Sequence, residues 1–346
     1  MPELLRDHTT LRLGGPAQAW VRATTEPELV DALSSVEGPV LVLGGGSNLV
    51  VADAGFEGTV VEVATRGVRA DVEGDDPTCG GVLVTVAAGE DWDAFVTQAV
   101  ERGWVGVEAL AGVPGRVGAT PIQNVGAYGQ EVAQTIAQVR VWDRVLKGVR
   151  TFANADCRFG YRTSRFKADR LDSGGGRHVV LDVTFQLRQG SLGAPVEYAE
   201  LGSTLGVELG RRAPLADVRS AVLQLRRGKG MVLDPADHDT WSAGSFFTNP
   251  VLDADQVPEG APVWPQPDGR VKTSAAWLIE RAGFQKGYGV GPVGLSTKHT
   301  LALTNRGGAT TQQLLALARE VRAGVEDTHG VLLDNEPVLV GCELGH

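Results

Sequence analysis

Residues 112–129, reading GVPGRVGATPIQNVGAYG, leave this chain few folds to choose from. Five of the eighteen positions are glycine, and Pro114 and Pro121 interrupt the rest. Proline fixes φ and removes a backbone donor, so neither a long helix nor a central strand survives here. Glycine lets another backbone or a ligand approach to contact distance. The stretch contains no Lys, Asp, Glu or His, so it carries little acid–base chemistry. Two readings fit. It is a set of tight turns in a strand-rich domain, or a main-chain bed for a large planar or phosphorylated ligand.

At 346 residues the chain exceeds what one core usually serves, which favours two or three domains. Its 46 glycines are about twice the usual share and favour turns over a helical bundle. A net charge of −10 argues against nucleic acid or an anionic membrane as partner, so an anionic ligand needs a local basic pocket. Cys79, Cys157 and Cys342 are far apart, which suggests a reducing compartment and no disulfide framework. The start, MPELLRDHTT, lacks an apolar signal core, and no run of about 18 apolar residues follows. The expected location is cytoplasmic. None of the six histidines has H-x-x-x-H spacing, so no metal site is expected.

Along the chain, 20–23 reads as a strand, and Thr25 can cap a helix over 27–33. The apolar run 39–43 ends in Gly44, Gly45, Gly46, Ser47 and Asn48. This is neither a Rossmann unit nor a P-loop: Leu49 stands at the third glycine position, 49–51 continues as strand, and no G-K-[ST] follows. What remains is a nest of N–H groups for a phosphate, or a plain hairpin connection. Residues 58–63 and 82–88 read as strands, 73–80 as an inserted polar loop, and 91–102 as an amphipathic helix. Strands are expected at 138–142, 148–152 and 178–187, with a short helix over 154–159. Further on, 191–209 is loop-rich, and helices fall at 214–227, 274–281 and from Thr310 or Thr311 to 325. Strands at 301–304, 331–333 and 337–340 close the chain. The class is α+β. The expected division is 1–190, a connecting loop and helix at 191–228, and a substrate domain at 229–346.

Three polar residues stand in apolar or aromatic surroundings, where a polar group needs a reason. Arg162 lies in YRTSRFK, Ser245 in AGSFFTNP, and Glu336 in the apolar terminal strand pair. Each also reads as an ordinary turn or edge residue. Lys229, Lys272, Arg281, Lys286 and Lys298 would together suit a phosphorylated substrate.

The ordered set LGGGSN, GVPGRVGATPIQNVGAYG, YRTSRFK, AGSFFTNP, KTSAAWLIE and the Glu336 strand resembles the UDP-N-acetylenolpyruvoylglucosamine reductase family, also called UDP-N-acetylmuramate dehydrogenases. The likeness runs from about Leu11 to Gly341. It implies the FAD-binding fold of the vanillyl-alcohol oxidase type, followed by a C-terminal α/β substrate-binding domain whose last strands return Glu336 to the flavin. It implies non-covalent FAD held by Gly44, Gly45, Gly46, Ser47, Asn48, Leu49, Pro114, Gly118, Ile122, Gln123, Asn124, Gly126 and Ala127. Arg162, Ser245 and Glu336 match the catalytic positions. Tyr198 matches the tyrosine of a mobile loop found in one branch, and with Lys229, Asn249 and Lys272 it would contact the UDP diphosphate.

The reaction so implied reduces UDP-N-acetylglucosamine enolpyruvate with NADPH through FAD, in peptidoglycan precursor synthesis, by an enzyme expected to be monomeric. The residue types agree: a fixed cation and a carboxyl suit an enediolate, and Ser245 suits the proton donor beside them. Thr248 departs from the pattern, standing where relatives carry Lys, and the spacer between Lys229 and Ser245 is long. The rivals are an oxygen-consuming sugar oxidase of the same fold, a flavin-binding protein without catalysis, and a phosphotransferase. The phosphotransferase lacks its P-loop lysine and metal site.

Overall fold

The computed structural model describes residues 2–72, 81–171 and 175–345. The expected insertion at 73–80 lies outside the described residues. The chain forms two compact units. One comprises 18–45 and 57–227; the other joins 1–17 and 46–56 to 228–346. The boundary after 227 falls near the expected start of the substrate domain, but the N-terminal arm and the segment after the glycine turn belong with the C-terminal part. Such non-contiguous membership leaves no trace in local composition.

In the first unit, Thr25 caps the helix Glu26–Ser35 through a capping box with Glu28. That helix leads into Val40–Leu43, which pairs in parallel with Phe56–Val63. The strand after the glycine turn, Leu49–Val51, pairs with Val338–Val340 and not with Val40–Leu43, so the turn closes no hairpin. The larger sheet runs Gly148–Ala153, Ile136–Asp143, His178–Gln189, Gly81–Ala87, Val68–Val72. His178–Gln189 is buried on both faces over most of its length, which explains its near-continuous apolar run. Asp91 caps the helix Trp92–Glu101 by accepting from Ala94 N at 3.0 Å. That helix lays Trp92 and Phe95 on the sheet, Phe95 stacking on Phe185 at 5.1 Å. Only Asn154–Cys157 of the expected 154–159 helix forms, as one 3-10 turn ended by Arg158 in the left-handed region.

The second unit is built on Thr311–His329, capped by Thr310, with Leu314, Leu317, Ala318, Val321 and Val325 buried. Phe246, Phe247 and the helix Ala275–Arg281 share its core. Leu49–Val51 pairs in parallel with Val338–Val340, about 290 residues later in the chain. The strand expected at 331–333 does not form: Val331 and Leu333 are buried as core residues without a ladder partner. The strand expected at 301–304 forms as Leu303–Asn305, paired with Val293–Leu295. Among the described residues, no helix is long and apolar enough to cross a membrane.

Candidate active site

In the first unit, main-chain bonds hold part of 112–129 in place. Trp92 N donates to Gly115 O at 3.1 Å, Val117 N to Glu90 O at 2.9 Å, and Gly118 N to Ala88 O at 2.9 Å. A Cβ added at Gly118 would stand 2.5 Å from Ala88 Cβ, so only glycine fits that approach. Gly126–Ala127 and Gln130–Glu131 form a small hairpin. Its two-residue turn is Tyr128 (φ 50) and Gly129 (φ 86), the pair of positive φ values that a type I′ turn needs. Buried Gln130 bonds Glu108 at 2.9 Å, and Glu108 accepts from Ala194 N at 2.6 Å, which ties the hairpin to the start of the Tyr198 loop.

Tyr198 is 43% exposed and precedes the helix Ala199–Leu205. Its ring meets Tyr128 edge-on at 5.4 Å. Arg162 occupies the left-handed region (φ 52) in a turn whose ends, Gly160 and Thr163, exchange bonds at 3.0 and 3.2 Å. Its Nη2 donates to Gly126 O at 3.1 Å, which sets the guanidinium on the hairpin. The rest of YRTSRFK braces the turn: Ser164 Oγ donates to Ile122 O at 2.8 Å and Lys167 Nζ to Arg162 O at 3.0 Å.

Two residues of this half are absent from the sequence reading as site residues. Tyr128 is one. Arg226, at the end of the helix Leu215–Gly228, is the other. Burial pushes its guanidinium down to about 10; Tyr128 and Asp93 oppose the drop, and the nearby charge of Arg162 adds to it. Its place in the last helical turn explained its charge too cheaply for it to be singled out.

In the second unit, three segments run side by side. Glu336 N donates to Phe246 O at 2.8 Å, Thr248 N to Asp334 O at 3.0 Å, and Val338 N to Asn48 O at 2.9 Å. Asn48 Nδ2 reaches Glu336 O at 3.5 Å. Ser245, Glu336 and Asn48 are thereby neighbours through main chain. Phe246 and Phe247, each 1% exposed, anchor the segment, and burial of each is worth about 2–3 kcal/mol. Asn249 Oδ1 accepts from Ala275 N at 3.0 Å, so this amide serves a helix start and turns its NH2 elsewhere. Lys272 sits mid-sheet, opposite Val251 and Trp264.

The donor set suits a flavin dinucleotide. Gly44 and Gly45, directly after a parallel strand, donate to no other main-chain group among the described residues. Successive N–H groups of this kind form an anion-binding concavity. A planar ring needs a bed without protruding carboxylates, and 112–129 contains neither Asp nor Glu. Asn124, by contrast, commits its side chain to protein: it bonds Glu131, Gly160 and Ala133.

Residues 17–148 match the family model of an FAD binding domain, which places the chain among flavoproteins. Residues 234–340 match the C-terminal domain model of UDP-N-acetylenolpyruvoylglucosamine reductase. The chain is 57% identical to the enzyme of that name from Cutibacterium acnes, over 97% of this chain and 89% of that relative. It is also 57% identical to the one from Thermobifida fusca, over 98% and 97%. The crystal structure of the reductase from Thermus caldophilus aligns over 98% of both chains with a TM-score of 0.66 at 26% identity. The chain belongs to the UDP-N-acetylenolpyruvoylglucosamine reductase family.

Proposed function

We propose that the chain reduces UDP-N-acetylglucosamine enolpyruvate to UDP-N-acetylmuramate, with NADPH as reductant and FAD as bound carrier, in peptidoglycan precursor synthesis. Gly44, Gly45, Gly46, Ser47, Asn48 and Leu49, with Pro114, Gly118 and Ile122, would hold FAD, main-chain N–H groups would serve its pyrophosphate, and Gln123, Asn124 (through its main chain), Gly126 and Ala127 would serve the flavin. When bound, FAD would supply the hydride chemistry that links NADPH to the vinyl carbon of the substrate.

Arg162 holds the enolpyruvyl carboxylate and stabilises the negative charge that develops there, as a preorganised cation whose position costs nothing at the moment of reaction. Glu336 supports the same charge as a carboxyl donor. Ser245 gives its hydroxyl proton to the α carbon. Tyr198, Lys229, Lys272 and the NH2 of Asn249 bind the UDP diphosphate, with Tyr198 acting from the mobile loop of its branch. The enzyme acts in the cytoplasm as a monomer.

One observation carries this reading beyond family membership. Ser245 and Glu336, about 90 residues apart in sequence, are fixed on hydrogen-bonded neighbouring segments. Stopped-flow absorbance of the two half-reactions tests it. Ser245→Ala should leave NADPH oxidation by the holoenzyme intact and slow its reoxidation by the enolpyruvyl sugar about 10²–10⁴-fold. Unchanged reoxidation would remove Ser245 from the reaction.

A further inference from the structure

We infer that Asn124 is a positioning residue for Arg162: it fixes the turn that presents the guanidinium, and so acts on the substrate carboxylate at second hand. The inference rests on the role proposed above for Arg162. Asn124 is 1% exposed and, like Arg162, holds a left-handed backbone (φ 43). Its Nδ2 uses both protons, on Glu131 Oε2 at 2.8 Å and Gly160 O at 3.0 Å. Both partners are acceptors only, which fixes the amide's orientation. Its Oδ1 accepts from Ala133 N at 3.2 Å.

Gly160 opens the Arg162 turn. Three bonds bolt that turn to the bed: Asn124 to Gly160 O, Arg162 to Gly126 O, and Ser164 to Ile122 O. Two act at or after Arg162. Asn124 supplies the one that precedes it, and it does so from within the bed itself. A left-handed non-glycine residue costs about 1 kcal/mol or more and persists where its surroundings over-determine it. Without the Asn124 amide, Gly160 O keeps the bond from Thr163 N at 3.2 Å but loses its tie to the bed ahead of Arg162. A displacement of about 1 Å at a group that must meet a developing charge lowers rate by up to about 100-fold.

Two variants separate positioning from folding. Asn124→Gly keeps the left-handed backbone at no steric cost and removes all three bonds. Asn124→Asp keeps the shape but sets a carboxylate against Glu131 and the Gly160 carbonyl. Calorimetry on the holoenzyme compares UDP-N-acetylmuramate, which carries the carboxylate, with UDP-N-acetylglucosamine, which lacks it. In both variants we expect the first to bind about 10- to 100-fold more weakly and the second to change less than about threefold. Reoxidation by the enolpyruvyl sugar should fall about 100-fold, far more than reduction by NADPH. Parallel loss of both ligands, both half-reactions and bound flavin would show a purely structural residue and overturn the inference; so would wild-type behaviour in both variants. A wild-type holoenzyme that fails to turn over the enolpyruvyl sugar would instead overturn the functional reading.

Discussion

Gly44 and Gly45 are neighbours in one motif, yet the structure gives them opposite sensitivities to alanine. A Cβ at Gly45 would stand 2.7 Å from Gly115 Cα and 3.2 Å from Gly115 C. Carbon atoms in comfortable contact are about 3.5–4.0 Å apart, so the two backbones must part by close to 1 Å. Neither is free to move. Gly115 O holds Trp92 N, and the strand before Gly45 is paired residue by residue with Thr59, Val60, Val61 and Glu62. Overpacking of this sort costs about 1–3 kcal/mol. In a unit of about 200 residues that lowers the apoprotein melting temperature by roughly 2–12 °C. A Cβ at Gly44 meets only Cγ and Cβ of Arg116, at 3.5 and 3.6 Å, which is ordinary contact.

Gly44→Ala should therefore leave apoprotein stability within about 0.5 kcal/mol, the range of a tolerated surface change. It should still weaken FAD, because the new methyl stands on the turn assigned to the pyrophosphate. Scanning calorimetry of flavin-free protein reads the first quantity, and quenching of flavin fluorescence during titration reads the second. Apoprotein in which Gly44→Ala melts lower than Gly45→Ala would refute the contact geometry. FAD affinity unaffected by either substitution would refute the nest.

Two further outcomes follow from ionisation. Burial alone would raise the Asp143 carboxyl, but the Arg177 guanidinium and the N–H groups of Leu146 and Val145 outweigh it and bring the pKa from 3.8 to about 2. Because the folded value lies below the unfolded one, this stabilisation is complete above about pH 4 and is lost as pH falls through about 2; Asp143→Asn should flatten that part of the melting-temperature profile. Burial pushes the Cys157 thiol up to about 12, with Asp156 adding and Arg165 opposing, and burial also raises Cys342. In a Cys79→Ser background, a thiol reagent at pH 8 should leave buried Cys157 unlabelled until denaturant is added while half-buried Cys342 reacts slowly, and rapid native labelling of Cys157 would contradict its burial.

What was legible in the sequence was local. Thr25, Asp91 and Thr310 declare their helices because a cap is a contact between residues three apart. The strand expected at 178–187 follows from its apolar run and forms as His178–Gln189. The partner of Leu49–Val51 was not legible, since its ladder closes on residues about 290 positions away and nothing in either segment names the other. Tyr128 and Arg226 escaped notice for a different reason: each has a sufficient local explanation, as a turn residue and as a helix-end cation, that hides its neighbours Tyr198 and Arg162.

For the stretch 112–129, the two readings are compatible in one object. Tight turns and a ligand bed stood as alternatives because glycine serves both. In the structure, Gly118 closes on Ala88, Gly45 closes on Gly115, and Gly126 carries the hairpin that Arg162 grips. Those close approaches press 112–129 against neighbouring backbone, and Gly44 and Gly45 donate to no other main-chain group among the described residues. The bed is therefore as rigid as the backbone contacts beneath it. Arg162, proposed above to hold the substrate carboxylate, is tied to that backbone through Asn124, Gly126 and Ile122 as well as through residues of its own motif. A substitution beneath the bed should consequently reach the site in two ways, through FAD affinity and through the placement of Arg162, and the two can be measured separately.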